Sequence, residues 1–234
     1  MDKISFLVEL NKRGISVNNE QLNLLWDFMH HVLLTNEKFN LTAIKEEGAF
    51  VEKMLFDSAL LLNNQTFDGE DIIDLGSGAG FPSVVLAILS PNLHVVALDS
   101  TAKKVNFVKE FALSRNLSNL ETVCARAEEY AHQNIERFSL VTARAVASLP
   151  ILLELAIPML KVGGTFIAMK GPGFEEEIKE STNAFRKLKC EVVYIYEDTL
   201  PESGESRSFI YIKKVGESPK KYPRQFGEIK NNPL

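Results

Sequence analysis

Hydrophobic positions along the chain follow two different periods. Over the first sixty residues the spacing is helical. Ile4 to Leu10 form a short amphipathic segment. Leu22, Leu25, Trp26, Met29, Val32 and Leu33 then recur every three or four residues, the stripe of a helix with one buried face. Asn18 or Asn19 stands where that helix needs a cap, and Trp26 is its expected core anchor. A third helix is predicted over 47–62, with Phe50, Met54, Leu55, Leu61 and Leu62 on its apolar face, Asp57-Ser58 interrupting that face, and Asn63-Asn64 ending it. The polar stretch Asn36–Thr42 reads as the turn between them, with Asn and Thr capping the next helix.

From residue 71 the pattern changes. Short β-prone runs at 72–75, 94–98, 120–124, 138–142 and 165–169 alternate with helical stretches at 83–89, 101–114, 149–160 and 175–188. Gly163-Gly164 reads as a tight turn before the fifth strand. Two further strands, 191–197 and 208–213, are joined by Pro201-Glu202-Ser203-Gly204, too short a link for anything but an antiparallel pair. The expectation is an α/β protein: a seven-stranded mixed sheet with helices on both faces, behind a small helical subdomain. The segments are 1–66, 67–214 and a tail at 215–234, packed as one compact domain.

Bulk numbers narrow the setting. With 234 residues and 45% apolar side chains, one α/β domain with an appendage has ample core. No apolar run approaches the ~18 residues of a membrane span, and Met1-Asp2-Lys3-Ile4 does not open a secretory signal. Cys124 and Cys190 make neither metal spacing nor a disulfide framework, so buried free thiols, no metal and a reducing, cytoplasmic setting are expected; separately, the chain is expected to be a monomer. The net charge of −5 is unevenly spread: residues 1–70 carry 6 basic and 11 acidic side chains, whereas 213–234 carry 6 basic and 2 acidic. From charge alone the tail reads as a solvated, disordered terminus. The functional alternative is that Lys213, Lys214, Lys220, Lys221, Arg224 and Lys230 meet RNA phosphates.

Candidate chemistry gathers at Asp71–Phe81. A buried strand runs into Gly76, Gly78 and Gly80, then Pro82 and an apolar helix, the nucleotide-binding unit of an open α/β sheet. A dinucleotide fold wants its third glycine at 81, where this chain has Phe81. That weakens a nicotinamide dehydrogenase, and the scattered histidines weaken it further. The observed spacing, Asp-x-Gly-x-Gly-x-Gly, resembles the loop of class I S-adenosylmethionine (SAM) methyltransferases. Such a loop need only admit the methionine part of the ligand and offer backbone donors. Asp99, 23 residues beyond Gly76 at the tip of the second strand, suits the two ribose hydroxyls or a helix cap. Ala127 and Glu128 come after the third strand, where an adenine edge would lie. Arg144, flanked by alanines at the end of the fourth strand, points at a carboxylate or into the cleft. Lys170 ends the fifth strand. No Ser-His-Asp or Cys-His arrangement is visible.

Asn36-x-x-x-Asn40-Leu41-Thr42, Phe56-Asp57-Ser58, the loop into Phe81-Pro82, Leu98-Asp99-Ser100, Arg126-Ala127-Glu128, Ala143-Arg144-Ala145 and the tail Tyr222-Pro223-Arg224…Asn232-Pro233-Leu234 together resemble the glucose-inhibited division protein B (RsmG) family over the whole chain. The resemblance implies a Rossmann-like SAM-dependent enzyme that methylates N7 of one guanine in 16S ribosomal RNA, with the rRNA or the small subunit as partner. It implies cofactor contacts at Gly76, Phe81, Ala127, Glu128 and Arg144; Gly78 and Asp99 fit the wider class. Asn40, Lys103, Lys170, Lys220, Lys221 and Arg224 are the candidate RNA contacts. The chain departs from the family pattern at Met54, where histidine is common, and at Thr35, where tryptophan is usual. A methyltransferase for another RNA or a small molecule shares the fold, and a non-catalytic RNA-binding module is the rival of another class.

Overall fold

A computed structural model describes residues 1–63, 67 and 69–234. Asn64 and the 66/67 domain boundary therefore lie outside the described residues. The chain opens with helices α1 (Lys3–Lys12) and α2 (Asn19–Asn36). Asn18 caps α2 in a reciprocal box with Gln21. The third helical stretch is continuous but not uniform. It runs from α3 (Glu47–Phe50) through a π-turn (Val51–Phe56) to α4 (Asp57–Ala59) and a 3₁₀ turn at Leu60–Leu62. Its cap is Glu46, whose carboxylate accepts from Gly48 N and Ala49 N at 2.9 and 2.6 Å, not an Asn or Thr.

Seven strands form one sheet in the order β3-β2-β1-β4-β5-β7-β6. These are β1 (Asp71–Leu75), β2 (His94–Asp99), β3 (Leu120–Cys124), β4 (Phe138–Arg144), β5 (Leu160–Lys170), β6 (Cys190–Thr199) and β7 (Ser206–Lys214). The first five pair in parallel; β7 runs antiparallel to β5 and to β6. The order reverses between β1 and its neighbours β2 and β4, so a crevice opens at their carboxyl tips. The intervening helices are α5 (Ser83–Leu89), α6 (Ala102–Ser114), α7 (Ala127–Gln133), α8 (Leu149–Ala156), α9 (Phe174–Glu180), α10 (Thr182–Leu188) and α11 (Phe226–Asn231).

Side chains alternate across each strand and sort into two cores. Ile72, Val95 and Ala97 face α5, α6 and the amino-terminal helices. Ile73, Leu75, Val96 and Leu98 face α7, α8, α10 and the carboxyl-terminal segment. The amino-terminal helices thus share one core with a face of the sheet, through Phe6, Phe28, Phe50 and Phe56, all fully buried. Trp26 is only half-buried, packing edge-on against Phe6 at 5.3 Å.

Several expectations need correction. β5 starts at Leu160, so Gly163-Gly164 lies inside the strand, where its register against β4 shifts. The helix expected over 175–188 breaks at buried Ser181, whose hydroxyl donates to Glu177 O at 2.7 Å. Cys124 is exposed because it ends an edge strand; Cys190 alone is buried. The basic tail is docked, not a solvated terminus: Tyr222, Ile229 and Leu234 are buried in the second core. Among the described residues, no helix is long and apolar enough to cross a membrane.

Candidate functional site

The crevice at the strand tips has two arms. The larger, about 580 Å³, lies between the glycine loop, Arg144, Lys170, Arg207 and the helical stretch bearing Met54 and Asp57. The smaller, about 310 Å³, lies between the ends of β2 and β3, α8 and the tail. Gly76, Lys104 and Ala145 line both, so the arms meet there. Ala145 holds φ of 54°, a left-handed backbone costing roughly 1–2 kcal/mol for a non-glycine. Strain of this kind gathers at binding sites.

The three loop glycines have different jobs. At Gly76, φ is 71° and a Cβ would come within 2.6 Å of Val146; the bare backbone faces the crevice. At Gly78, φ is 58° and the surroundings are open. Gly80 faces the core instead, where a Cβ would meet Val84 at 2.6 Å and Phe28 at 3.0 Å. The loop is strapped to β2, since Gly76 N and Ser77 N both donate to Leu98 O, at 2.8 and 3.0 Å. Gly80 N and Phe81 N donate to Ser77 O. Gly78 N donates to Asp99 Oδ2 at 3.0 Å, and Thr101 N to Asp99 Oδ1 at 2.8 Å. The expectation of backbone donors for a ligand is therefore corrected at these five loop positions, whose N–H groups are spent inside the protein. What the loop offers is shape.

Asp99 ties loop to helix with one backbone bond per oxygen. A carboxylate has about four lone-pair sites, so acceptor capacity remains for a diol. Ala127 and Glu128 sit in the first turn of α7 and line the small arm beside Asp99. Phe81 is 3% exposed, its ring packed on Phe28 at 4.9 Å and edge-on to Phe50 at 5.5 Å. The Arg144 guanidinium lies over the same ring at 5.6 Å.

Arg144 does both things foreseen for it. It lines the large arm, and its Nη1 donates to Lys53 O at 3.0 Å and meets Asp57 Oδ2 at 3.3 Å. Sequence reasoning missed the rest of this cluster. Arg207 Nε reaches the same Asp57 oxygen at 3.2 Å, and Lys53 pairs with Glu205, which also holds Arg207 at 2.9 Å. Burial pushes the Asp57 carboxyl above the ordinary range, against the pull of Arg144 and Arg207. The visible signal was an acid on the apolar face of a helix.

Asp74, at the end of β1, is fully buried. Burial lifts its pKa to about 7; the Ser83 N–H, 3.1 Å from Oδ2, works against this, and Oδ1 has no partner.

Among the RNA candidates, Asn40, Lys103, Lys220 and Lys221 are exposed. Two others are engaged by partners inside the protein. Lys170 Nζ is bound by Ala147 O and Glu177 Oε2, both at 2.7 Å, and fixes the loop into α8. Arg224 clasps buried Glu154 through Nε at 2.8 Å and Nη2 at 2.7 Å. Lys214 is likewise internal, donating to Leu160 O at 2.8 Å and pairing with Glu136 at 3.0 Å. None of the three presents a free cation. Of the α6 lysines it is Lys104, not Lys103, that lines both arms.

Comparison with known proteins fits this geometry. Residues 21–203 match the family described as rRNA small subunit methyltransferase G. The ribosomal RNA small subunit methyltransferase G of Lactobacillus acidophilus is 39% identical over 239 aligned positions, covering 100% of both chains. Its Deinococcus radiodurans namesake is 44% identical, over 85% of this chain and 80% of its own. Among solved structures, M. jannaschii TYW2 in complex with AdoMet superposes with a TM-score of 0.54 at 14% identity, covering 64% of this chain and 71% of that one. The YcgJ protein of Bacillus has a TM-score of 0.51 at 14% identity, covering 70% and 99%. These two likenesses show the fold.

Proposed function

The chain belongs to the rRNA small subunit methyltransferase G family, and from that premise we propose that it transfers a methyl group from SAM to N7 of a guanine in 16S rRNA. The observation that carries this reading is the two-armed crevice: one arm suited to a nucleoside, the other wide and cationic, joined at bare Gly76. SAM, when bound, supplies an electrophilic methyl on a sulfonium. Asp99 takes the ribose hydroxyls with the acceptor capacity left beside its two backbone bonds. The first turn of α7, with Ala127 and Glu128, edges the adenine. Gly76 admits the ligand against main chain that any side chain would obstruct.

The chain's own residues need move no proton. Guanine N7 carries an in-plane lone pair and no hydrogen, so the attack requires alignment and no general base. A cation locked onto N7 would occupy that lone pair; Arg144 and Arg207, both turned to Asp57, are held back from it. Their remaining donors suit O6 or a phosphate. Catalysis then comes from orientation, whose effective molarities reach ~10⁵–10⁸ M.

The deciding experiment offers methyl-labelled SAM with naked 16S rRNA, small ribosomal subunits and tRNA, then maps the product. Label on N7 of one 16S guanine is expected. Label confined to tRNA, or to another atom, rejects the reading.

A further inference from the structure

Charge alone makes the tail a solvated or RNA-facing basic segment, yet the aromatic residue that opens its helix stands at the nucleoside arm. Phe226, half-buried, is the only aromatic ring among the described residues that line this arm, which Asp99 and Ala127 also border. Resting on the function proposed above, we propose that the carboxyl-terminal segment is part of the cofactor site, with Phe226 forming the apolar wall against which the adenine of SAM packs.

The placement is enforced. α11 has six residues, too few to persist alone. It is pinned to α8 by Arg224, whose main-chain N–H also donates to Glu154 Oε1 at 2.9 Å. Arg224 Nη2 further holds Asn232 O at 3.0 Å, closing the segment on itself. Buried Ile229 packs beneath. The anchor Glu154 immediately precedes Leu155, which lines the same arm. One turn of α8 therefore holds the clasp and supplies the wall beside the ring. A purine face is apolar and π-rich, and of the arm's lining only Phe226 matches it in kind; Asp99 and Glu128 suit hydroxyls and an amine.

The test is titration calorimetry of the full chain with SAM. Wild type is expected to bind. Phe226→Ala is expected to raise Kd roughly tenfold, in the range measured when aromatic platforms under nucleic-acid bases are cut to alanine, while Phe226→Trp stays near wild type. Phe226→Leu, which keeps apolar bulk without the aromatic face, should fall between. Hydrogen exchange supplies an independent readout. Linkage requires SAM to slow exchange of amides 225–231 if the ring touches it. A Phe226→Ala Kd within twofold of wild type, or exchange in 225–231 indifferent to saturating SAM, overturns the proposal. Wild type that fails to bind SAM overturns instead the reading on which it rests.

Discussion

Asp74→Asn isolates the cost of a carboxyl held in the core beside the glycine loop. Burial raises the Asp74 pKa from 3.8 in an unfolded chain to about 7. Between those values the folded protein holds a proton that the unfolded chain has released, so stability falls as pH rises. The slope is about 1.4 kcal/mol per pH unit, and the whole window amounts to about 4 kcal/mol. Asparagine keeps an oxygen for the Ser83 N–H at 3.1 Å and places its NH₂ where Oδ1 now has no partner. Any cost of burying that amide is the same at every pH and drops out of the pH dependence. Urea unfolding of both proteins from pH 5 to 7.5 cancels the titration of all other groups in the difference. The difference is expected to move by about 3 kcal/mol in favour of the variant as pH rises. A difference constant to within about 0.5 kcal/mol would refute the idea that Asp74 is protonated in the fold.

Arg224→Ala takes the guanidinium from buried Glu154 and leaves it only the main-chain N–H of residue 224, so unfolding in urea should show a loss of about 3–5 kcal/mol, whereas the salt dependence of rRNA binding should keep its slope. Arg144→Ala strips the large arm of one cation and frees Lys53 O. Methyl transfer should drop at least ~100-fold, the scale of losing one oriented contact, and unaltered single-turnover rates would make Arg144 dispensable. Gly76→Ala brings a Cβ to 2.6 Å from Val146 at a φ of 71°; calorimetry should show SAM affinity reduced tenfold or more, a change of about 1.4 kcal/mol. The Cys190 thiol is pushed up to about 12 by burial, so a thiol reagent at pH 8 should label exposed Cys124 fast and Cys190 only on unfolding.

The parts legible in the sequence are those governed by short-range spacing. Strands β1 to β3 and helix α6 carry their period within a dozen residues, and the loop glycines announce a turn. The distance from Gly76 places Asp99, and its second task, receiving Gly78 N, comes from the same register. Periodicity says nothing about which charges meet across the fold. Asp57 finds Arg144 87 residues away and Arg207 farther still. Arg224 finds Glu154 70 residues back. Charge counting treats such arginines as solvated, which is how a docked tail reads as a free one. Glu154 is the readable clue, an acid inside the apolar run of α8. Asp57 is the other, and both acids are sockets for distant guanidiniums.

The π-turn shows why the large arm is not readable from helical spacing. Apolar residues at 50, 54, 55 and 61 fit an ordinary helix, yet the backbone widens over Val51–Phe56. One extra residue per turn rotates the succeeding residues by about 100° relative to an α-helix. Asp57 is the first residue past the widening and is 4% exposed. In a regular helix its carboxylate and the Lys53 carbonyl would not keep their present angular relation, and Arg144 Nη1 contacts both. The irregularity therefore shapes the large arm of the crevice, while the small arm is set by regular strand tips and the docked tail. Lesions in residues 51–57 should accordingly lower methyl transfer while sparing SAM affinity, and lesions around Asp99 and Phe226 should first weaken SAM binding.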